Sequence, residues 1–331
     1  MIKYNSINIR TWAKLGQRGA FFGSAIFDVV EEFDNSIIAT ADLGYLSGLD
    51  RFIKKHPEKY LNVGIAEQNL LGICSGLAQE GKIVYATTYA TFITMRSYEQ
   101  LRHYLGYMKS NVKVVGTGAG LVMGLSGSTH YTYEDIAITR AIPNMVVISP
   151  ADAMESVKVA MAVASYDGPV YIRLTGGLNI PMVYKEDYDF KIGKAVTLKD
   201  DGDISIFATG LMVASSLEAS KILTNKGINA RVINVHTIKP IDVESINKAQ
   251  RTSKLLVSVE EHNISGGLGG CIAEELSKHS SHPELLRLGI DEKFRYAGNY
   301  PYLLEQNELQ PEQIAKNIEE KYYLLNKENK K

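Results

Sequence analysis

The sequence predicts two consecutive α/β domains, each built on a mostly parallel sheet covered by helices on both faces. Three observations carry that prediction. Short apolar runs alternate with stretches of helical periodicity from Ser36 to Leu174, the pattern of strands and crossover helices in a parallel sheet. The same alternation resumes after a polar, irregular stretch around 179–194 that holds Pro181, Lys185, Glu186, Asp187 and Asp189. The length of 331 residues exceeds one average domain, so the chain divides naturally into 1–183 and 184–331.

Taken in order, Tyr4 to Gly19 is polar, carries the single tryptophan, Trp12, and predicts no regular element. Ala20 to Phe33 repeats apolar residues at helical spacing. Ser36–Ala41 reads as a buried strand ending at Asp42, and an apolar helix carrying Glu67 follows. Lys82–Ala86 is the next strand, then a long helix from about Thr91 to Met108. Strand Val112–Val115 opens into a glycine-rich loop that runs from Gly116 to His130. A helix from about Tyr133 to Pro143 precedes strand Met145–Ile148, and Asp152 is placed to cap the helix after it. Pro169–Leu174 closes the first run. The second half predicts strands at Ile204–Ala208, Ala230–Val235, Lys254–Val259 and Leu285–Leu288. Its helices reach to about Lys226, span Val243 to Arg251, and begin at Leu268 and after Pro311. Sheets of this kind bind ligands beyond the carboxyl ends of their strands. Asp42, the Gly116–His130 loop and the residues after Arg173 occupy such ends.

Composition narrows the partners. Thirty-six Lys plus Arg against 37 Asp plus Glu gives a net charge of −1, so no basic face for nucleic acid is forced. The lysines from Lys327 to Lys331 read as a solvated end. No apolar run approaches the roughly 20 residues of a membrane span, and Met1–Asn5 has no hydrophobic signal core. Cys74 and Cys271 stand singly in apolar helical surroundings and read as buried free thiols. A cytoplasmic protein is the expectation.

Among the candidate motifs, Asn62–Gly72 stands out. Glu67 opens a segment that is otherwise almost wholly apolar to Ala78. A carboxylate there is either a partly solvated first-turn residue favoured by the helix dipole or a buried group with a dedicated partner. Two glycine-rich stretches invite a nucleotide reading. Gly116–Leu121 lacks the third glycine of a dinucleotide fingerprint. Ser265–Gly270 lies between a strand and a helix, where its amides could meet an anion or simply permit close packing. His130 and Glu134 sit four apart without a visible third metal ligand.

Beyond these patterns, the run from Leu61 to Gly176 closely resembles the pyrimidine-binding domain of transketolases, enzymes that use thiamine diphosphate. The resemblance rests on Ala41-Asp42-Leu43, Gly64-Ile65-Ala66-Glu67-Gln68-Asn69, and Thr91-Phe92 with Arg96, Glu99 and Gln100. It continues through Gly127–His130, Glu134–Ala137, Arg140–Asn144, Ser149–Ala153 and Gly168–Tyr171. Phe207–Gly210, Val259–His262 and Gly266–Gly269 resemble the transketolase C-terminal domain. The family's diphosphate-binding Gly-Asp-Gly motif is absent; Asp201-Gly202-Asp203 reverses its order in the second half. The resemblance therefore implies the small subunit of a split transketolase. Its partner would be a separate N-terminal diphosphate-binding subunit, the expected source of the divalent cation (Mg2+ or Ca2+), in an α2β2 heterotetramer.

For single residues, the resemblance implies that Glu67 hydrogen-bonds the aminopyrimidine nitrogen N1′. Phe92, Met95 and Tyr98 fall where the family stacks that ring, although a plain core stripe would also explain Met95. Asp42 would approach the thiazolium side, and His130 the donor oxygen near the reacting carbon. Other substrate positions depart from the family. Gly118 stands in place of a second sugar-binding His, Ser126 in place of an Asp, Gly176 in place of a phosphate-clamping Arg, and Leu46 in place of a Ser. Arg18 is the remaining candidate for an anion contact. The expected reaction is transfer of a two-carbon ketol unit from a ketose to an aldose, with a non-standard sugar as substrate. A pyruvate-decarboxylating relative, akin to 1-deoxy-D-xylulose-5-phosphate synthase or an oxoacid dehydrogenase β subunit, is the alternative, and a silent scaffold subunit the reading from another class. Thr129-His130 and Glu134–Ala137 favour the transketolase.

Overall fold

The computed structural model describes residues 2–328; Asn329, Lys330 and Lys331, the last part of the lysine-rich tail, lie outside them. The first sheet contains β1 Ser36–Thr40, β2 Tyr60–Asn62, β3 Ile83–Tyr89, β4 Val112–Thr117, β5 Val146–Ile148 and β6 Val170–Leu174. The second contains β7 Val196–Lys199, β8 Ile204–Ala208, β9 Ala230–Asn234, β11 Leu255–Asn263 and β12 Glu284–Ile290, in the order β12-β11-β8-β9-β7. One strand of the second half, β10 Thr237–Lys239, joins the first sheet instead, whose order is β10-β5-β6-β4-β3-β1-β2. It pairs antiparallel with β5, and β7 pairs antiparallel with β9. The remaining pairings are parallel. Two α/β layers with mostly parallel sheets are thus present, as the alternation predicts.

The apolar runs explain the strands. Every residue of β4, β6 and β8 is buried, as both faces of a helix-covered sheet require. One hydrophobic cluster packs helix Ala153–Ala164 and the first helices on one face of the first sheet. A second combines Leu70, Leu71 and Cys74 beside that sheet with Phe207, Ile233, Leu256 and Leu268 of the second half. A continuous core therefore joins the two halves. Asp152 caps helix Ala153–Ala164, accepting from the Glu155 amide at 2.8 Å, as its position before the apolar run predicts.

Besides the short strands β2, β7 and β10, which the sequence reading does not contain, three elements depart from it. The polar start is helical, Ser6–Ala20, with Asn5 accepting from the Ile7 and Asn8 amides at 3.1 and 2.9 Å. It reads as irregular because it turns only a narrow stripe, chiefly Ile9 and Trp12, to the core. A break at Gly16 (φ 70°) lets it lie against the loop after β6, where a Cβ would stand 1.7 Å from the Gly177 carbonyl oxygen. The long helix expected from Thr91 to Met108 is interrupted. Phe92–Arg96 forms a π-helical turn, Ser97 breaks it, and helical structure resumes at Tyr98. Such turns change which side chains project to one side. The Tyr133 helix is short, Asp135–Arg140, so His130 and Glu134 share no helical face.

Both glycine-rich stretches wrap around buried carboxylates at the end of β11. Glu260 accepts from the Leu268 and Gly269 amides at 2.7 and 2.8 Å, at the start of helix Leu268–Leu276. Glu261 accepts from the Leu121 amide at 2.6 Å and from the Tyr300 hydroxyl at 2.6 Å. A Cβ on Gly267 would lie 1.9 Å from Glu260, and one on Gly120 would lie 2.2 Å from Glu261. The anion at the Ser265–Gly270 amides is therefore the protein's own side chain. Burial pushes the Glu260 carboxyl up to about 7, while the two amides pull it back. Between these carboxylates and β6, Arg173 donates to Asp135 at 2.8 Å, to Thr175, and to the Thr132 and Glu261 carbonyls. This buried network ties the second half to the first.

Candidate active site

Helix Glu67–Gln79 starts beyond the carboxyl end of β2, so Glu67 stands in its first turn, where the helix dipole favours an anion. Its side chain is only 5% exposed and has a dedicated partner: the Arg96 guanidinium donates to its Oε1 at 2.6 Å. The burial and the pairing select the second of the two readings open at the sequence level. Arg96 lies at the end of the π-helical turn after β3, with its Cζ 4.3 Å from the centroid of the Phe92 ring. Gln68 Nε2 donates to the Arg96 carbonyl at 3.1 Å, joining the two elements.

Phe92 also meets the imidazole of His130 edge-on at 5.5 Å, and Tyr89 approaches both rings, at 5.7 and 6.1 Å. The Thr129 hydroxyl lies 2.9 Å from His130 Nδ1. Glu67, Phe92 and His130, from three separate elements, are thus gathered at the carboxyl end of the first sheet. Asp42 follows β1 in the left-handed conformation (φ 57°), unusual outside glycine. It is held by Asn62 through two hydrogen bonds of 3.0 Å, one to its amide and one to its carboxylate.

The other expected residues are placed differently. Met95 is 40% exposed at the rim, and the Thr91 hydroxyl lies 3.7 Å from its sulfur. Tyr98 turns its hydroxyl to the Ile138 carbonyl at 3.0 Å and packs on the core. Gly118 is in the left-handed region, and the space a side chain would take is occupied by Met123 and Tyr89, at 2.9 and 3.6 Å from a built Cβ. A side chain there would have to displace Met123 and adopt a strained backbone conformation. Ser126 is exposed in a short turn, Gly124–Ser126. Arg18 is half-buried beside Gln17, whose side chain accepts from the Thr175 and Gly176 amides at 2.9 and 2.7 Å.

Arg96, Asn62 and Tyr89 are the site residues that the sequence left without a role. A signal existed for Arg96, because a buried Glu67 needs a counter-charge and Arg96 is the only cation between Phe92 and Gln100. Large apolar side chains stand exposed on the loops around the site: Tyr45, Leu46, Ile65, Leu125 and Leu178. Among the described residues, no group of three or more His, Cys, Asp or Glu is placed to hold a metal ion, and no helix is long and apolar enough to cross a membrane.

Comparison with known proteins agrees with this architecture. Residues 18–179 match the transketolase pyrimidine binding domain and residues 193–314 the transketolase C-terminal domain. A Methanocaldococcus jannaschii protein described as the C-terminal section of a transketolase is 40% identical over 301 residues, 90% of this chain and 94% of its own length. A 6-deoxy-6-sulfo-D-fructose transketolase subunit from a Clostridium species is 36% identical over 293 residues, 88% of this chain and 90% of its own. A solved split gene transketolase, described as an inactive beta4 tetramer, superposes with a TM-score of 0.83 at 36% identity, covering 92% of this chain and 97% of the other. The chain belongs to the transketolase family and corresponds to the C-terminal portion of a split transketolase, its pyrimidine-binding and C-terminal domains in order.

Proposed function

We propose that this chain is the pyrimidine-binding subunit of a two-subunit, thiamine-diphosphate-dependent transketolase that acts on a non-standard sugar. The observation that carries this is that Glu67 and Phe92 both reach one guanidinium, that of Arg96. A planar cation with N–H donors already sits between them, bonded to the carboxylate and lying over the ring. The aminopyrimidine of thiamine diphosphate needs the same two contacts, so the residues fit the group.

Thiamine diphosphate supplies the nucleophilic carbon and the electron sink for ketol transfer. The chain's own contributions are positional and protonic. Glu67 holds the proton shared with the pyrimidine nitrogen, and its burial keeps water from competing for that bond. Phe92 supplies the stacking face, with Met95 at the rim and Tyr98 bracing the turn against helix Asp135–Arg140. His130 presents a ring nitrogen to the substrate oxygen near the reacting carbon, while Asp42 faces the thiazolium side. Gly118 and Ser126 leave the sugar pocket without the family's usual side chains. Arg18 is its anion handle, next in the chain to Gln17, which accepts from the Thr175 and Gly176 amides.

Exposed apolar side chains on the surrounding loops support a half-site closed by a separate diphosphate-binding subunit, which brings the divalent cation. The assembly is an α2β2 heterotetramer in the cytoplasm, active only when both subunits are present. The division between domains falls at 183/184. The similarity to a 6-deoxy-6-sulfo-D-fructose transketolase subunit supports a sugar whose anionic group is not the usual phosphate in the usual place. Reconstitution with the diphosphate subunit and an assay of ketol transfer tests this reading. Glu67→Ala is expected to abolish turnover, by at least about 100-fold as befits loss of a proton-holding group, while the subunit stays folded. Near-normal turnover in that variant sinks the assignment.

A further inference from the structure

We propose that Arg96 is a built-in occupant of the cofactor half-site, so that the cofactor enters by displacing this side chain. The inference rests on the reading of Glu67 and Phe92 given above and adds a competitor that belongs to the chain itself. The guanidinium makes both contacts the half-site offers: its Nη1 donates to Glu67 Oε1 at 2.6 Å, and its Cζ stands 4.3 Å from the Phe92 centroid. A planar ring stacked on Phe92 with its nitrogen edge at Glu67 would occupy the same space. Both groups cannot be there together.

Two features mark Arg96 as the movable partner. Its side chain is 50% exposed, whereas that of Glu67 is 5% exposed. Its guanidinium makes a single hydrogen bond to the protein among the described residues. Arg173, in contrast, is 2% exposed and bonds through all three of its nitrogens. Leaving the site does not require the backbone to move, because the Arg96 carbonyl is tied separately by Gln68 Nε2 at 3.1 Å. The occupant answers a physical need. A buried carboxylate without a partner is costly, and Arg96 supplies the charge until another donor arrives. Cofactor affinity is then lowered by the fraction of chains whose site is filled. Arg96 thereby sets how readily the half-site loads.

Thiamine diphosphate binding to the reconstituted two-subunit complex, measured by calorimetry, tests the displacement. Arg96→Ala is expected to tighten binding by about tenfold, the size of a tenfold preference for the filled state; unchanged or weaker binding overturns the proposal. With the full chain alone, millimolar methylguanidinium is expected to raise the melting temperature of Arg96→Ala and to leave the native chain unmoved. No rise in the variant overturns it as well. Should Arg96→Ala fail to fold, Arg96→Lys keeps the charge but lacks the flat face, and binding intermediate between native and tenfold tighter is expected; native-like binding counts against displacement. Glu67→Ala separates the two levels. Lost cofactor binding in Glu67→Ala with unchanged binding in Arg96→Ala overturns the displacement alone, whereas normal binding in Glu67→Ala removes the reading beneath it.

Discussion

Asn62 and Asp42 hold each other across the ends of β2 and β1, side-chain amide to carboxylate and backbone amide to side-chain oxygen, both at 3.0 Å. The same Asn62 oxygen accepts from the Gly64 amide at 3.0 Å, three residues before Glu67. One side chain thus fixes the turn before Glu67 and keeps Asp42 in a left-handed conformation that costs on the order of 1–3 kcal/mol. Asn62→Ala is expected to let Asp42 relax, raising the cofactor concentration needed for half-maximal activity about tenfold while costing only about 1 kcal/mol of stability. Asn62→Asp is expected to do worse, because it sets two carboxylates together. Activity titrations beside melting curves check both variants; native cofactor dependence in Asn62→Ala would deny Asn62 its role.

Gly267 is required by crowding. Its missing side chain would lie 1.9 Å from Glu260 Oε2 and 2.6 Å from His262 Nδ1. Gly267→Ala is expected to push Glu260 off the Leu268 and Gly269 amides and cost roughly 3 kcal/mol, since two charge-assisted bonds to a buried carboxylate are lost. Thermal melting of the full chain should fall by several degrees. Inorganic phosphate is expected to leave the native chain unmoved, because its amides are already filled by Glu260. A Gly267→Ala chain that melts with the native one would contradict the packing described.

His236 gives a pH signature. It is buried against Phe190, ring centroids 4.4 Å apart, and its Nδ1 lies 2.8 Å from the Thr237 hydroxyl. Burial holds its pKa down at about 4, opposed by a hydrogen bond with the Lys194 backbone and by the Asp242 charge. A depressed histidine stabilises the fold fully above its unfolded pKa of about 6.5, and that contribution is lost as pH falls through about 4. His236→Phe removes the group without removing the ring. On going from pH 7.5 to 4.5, the stability of the variant relative to native is expected to improve by ~2–3 kcal/mol, read from denaturant melts at the two values. A difference that stays constant with pH would place the ring in contact with solvent.

How far the sequence reaches depends on whether an element is local. Strands such as Val112–Thr117, buried throughout, announce themselves as apolar runs, and Asp152 announces its helix by position. Ser6–Ala20 does not, because a helix with one narrow buried stripe resembles a polar loop. Nor does Thr237–Lys239, a short strand whose partner lies about 90 residues away in the chain, as its register with Ile148 and Val147 defines. At the site, Glu67 is conspicuous in the sequence as a charge in an apolar run. The pairing with Arg96 is a contact between elements and becomes visible only when the π-helical turn brings that side chain round.

The seating of β10 on the first sheet also bears on how such a gene can be rearranged. Recombination between relatives at the thin, polar 179–194 stretch would look safe from the sequence, yet it would set β5 beside a β10 from another chain, and a mismatch there would leave β5 with an open edge. An open edge invites pairing with other chains. It would also part the Gly120 turn from Glu261. Each half finishes a surface of the other, so the two halves are expected to tolerate exchange only when their contact residues match.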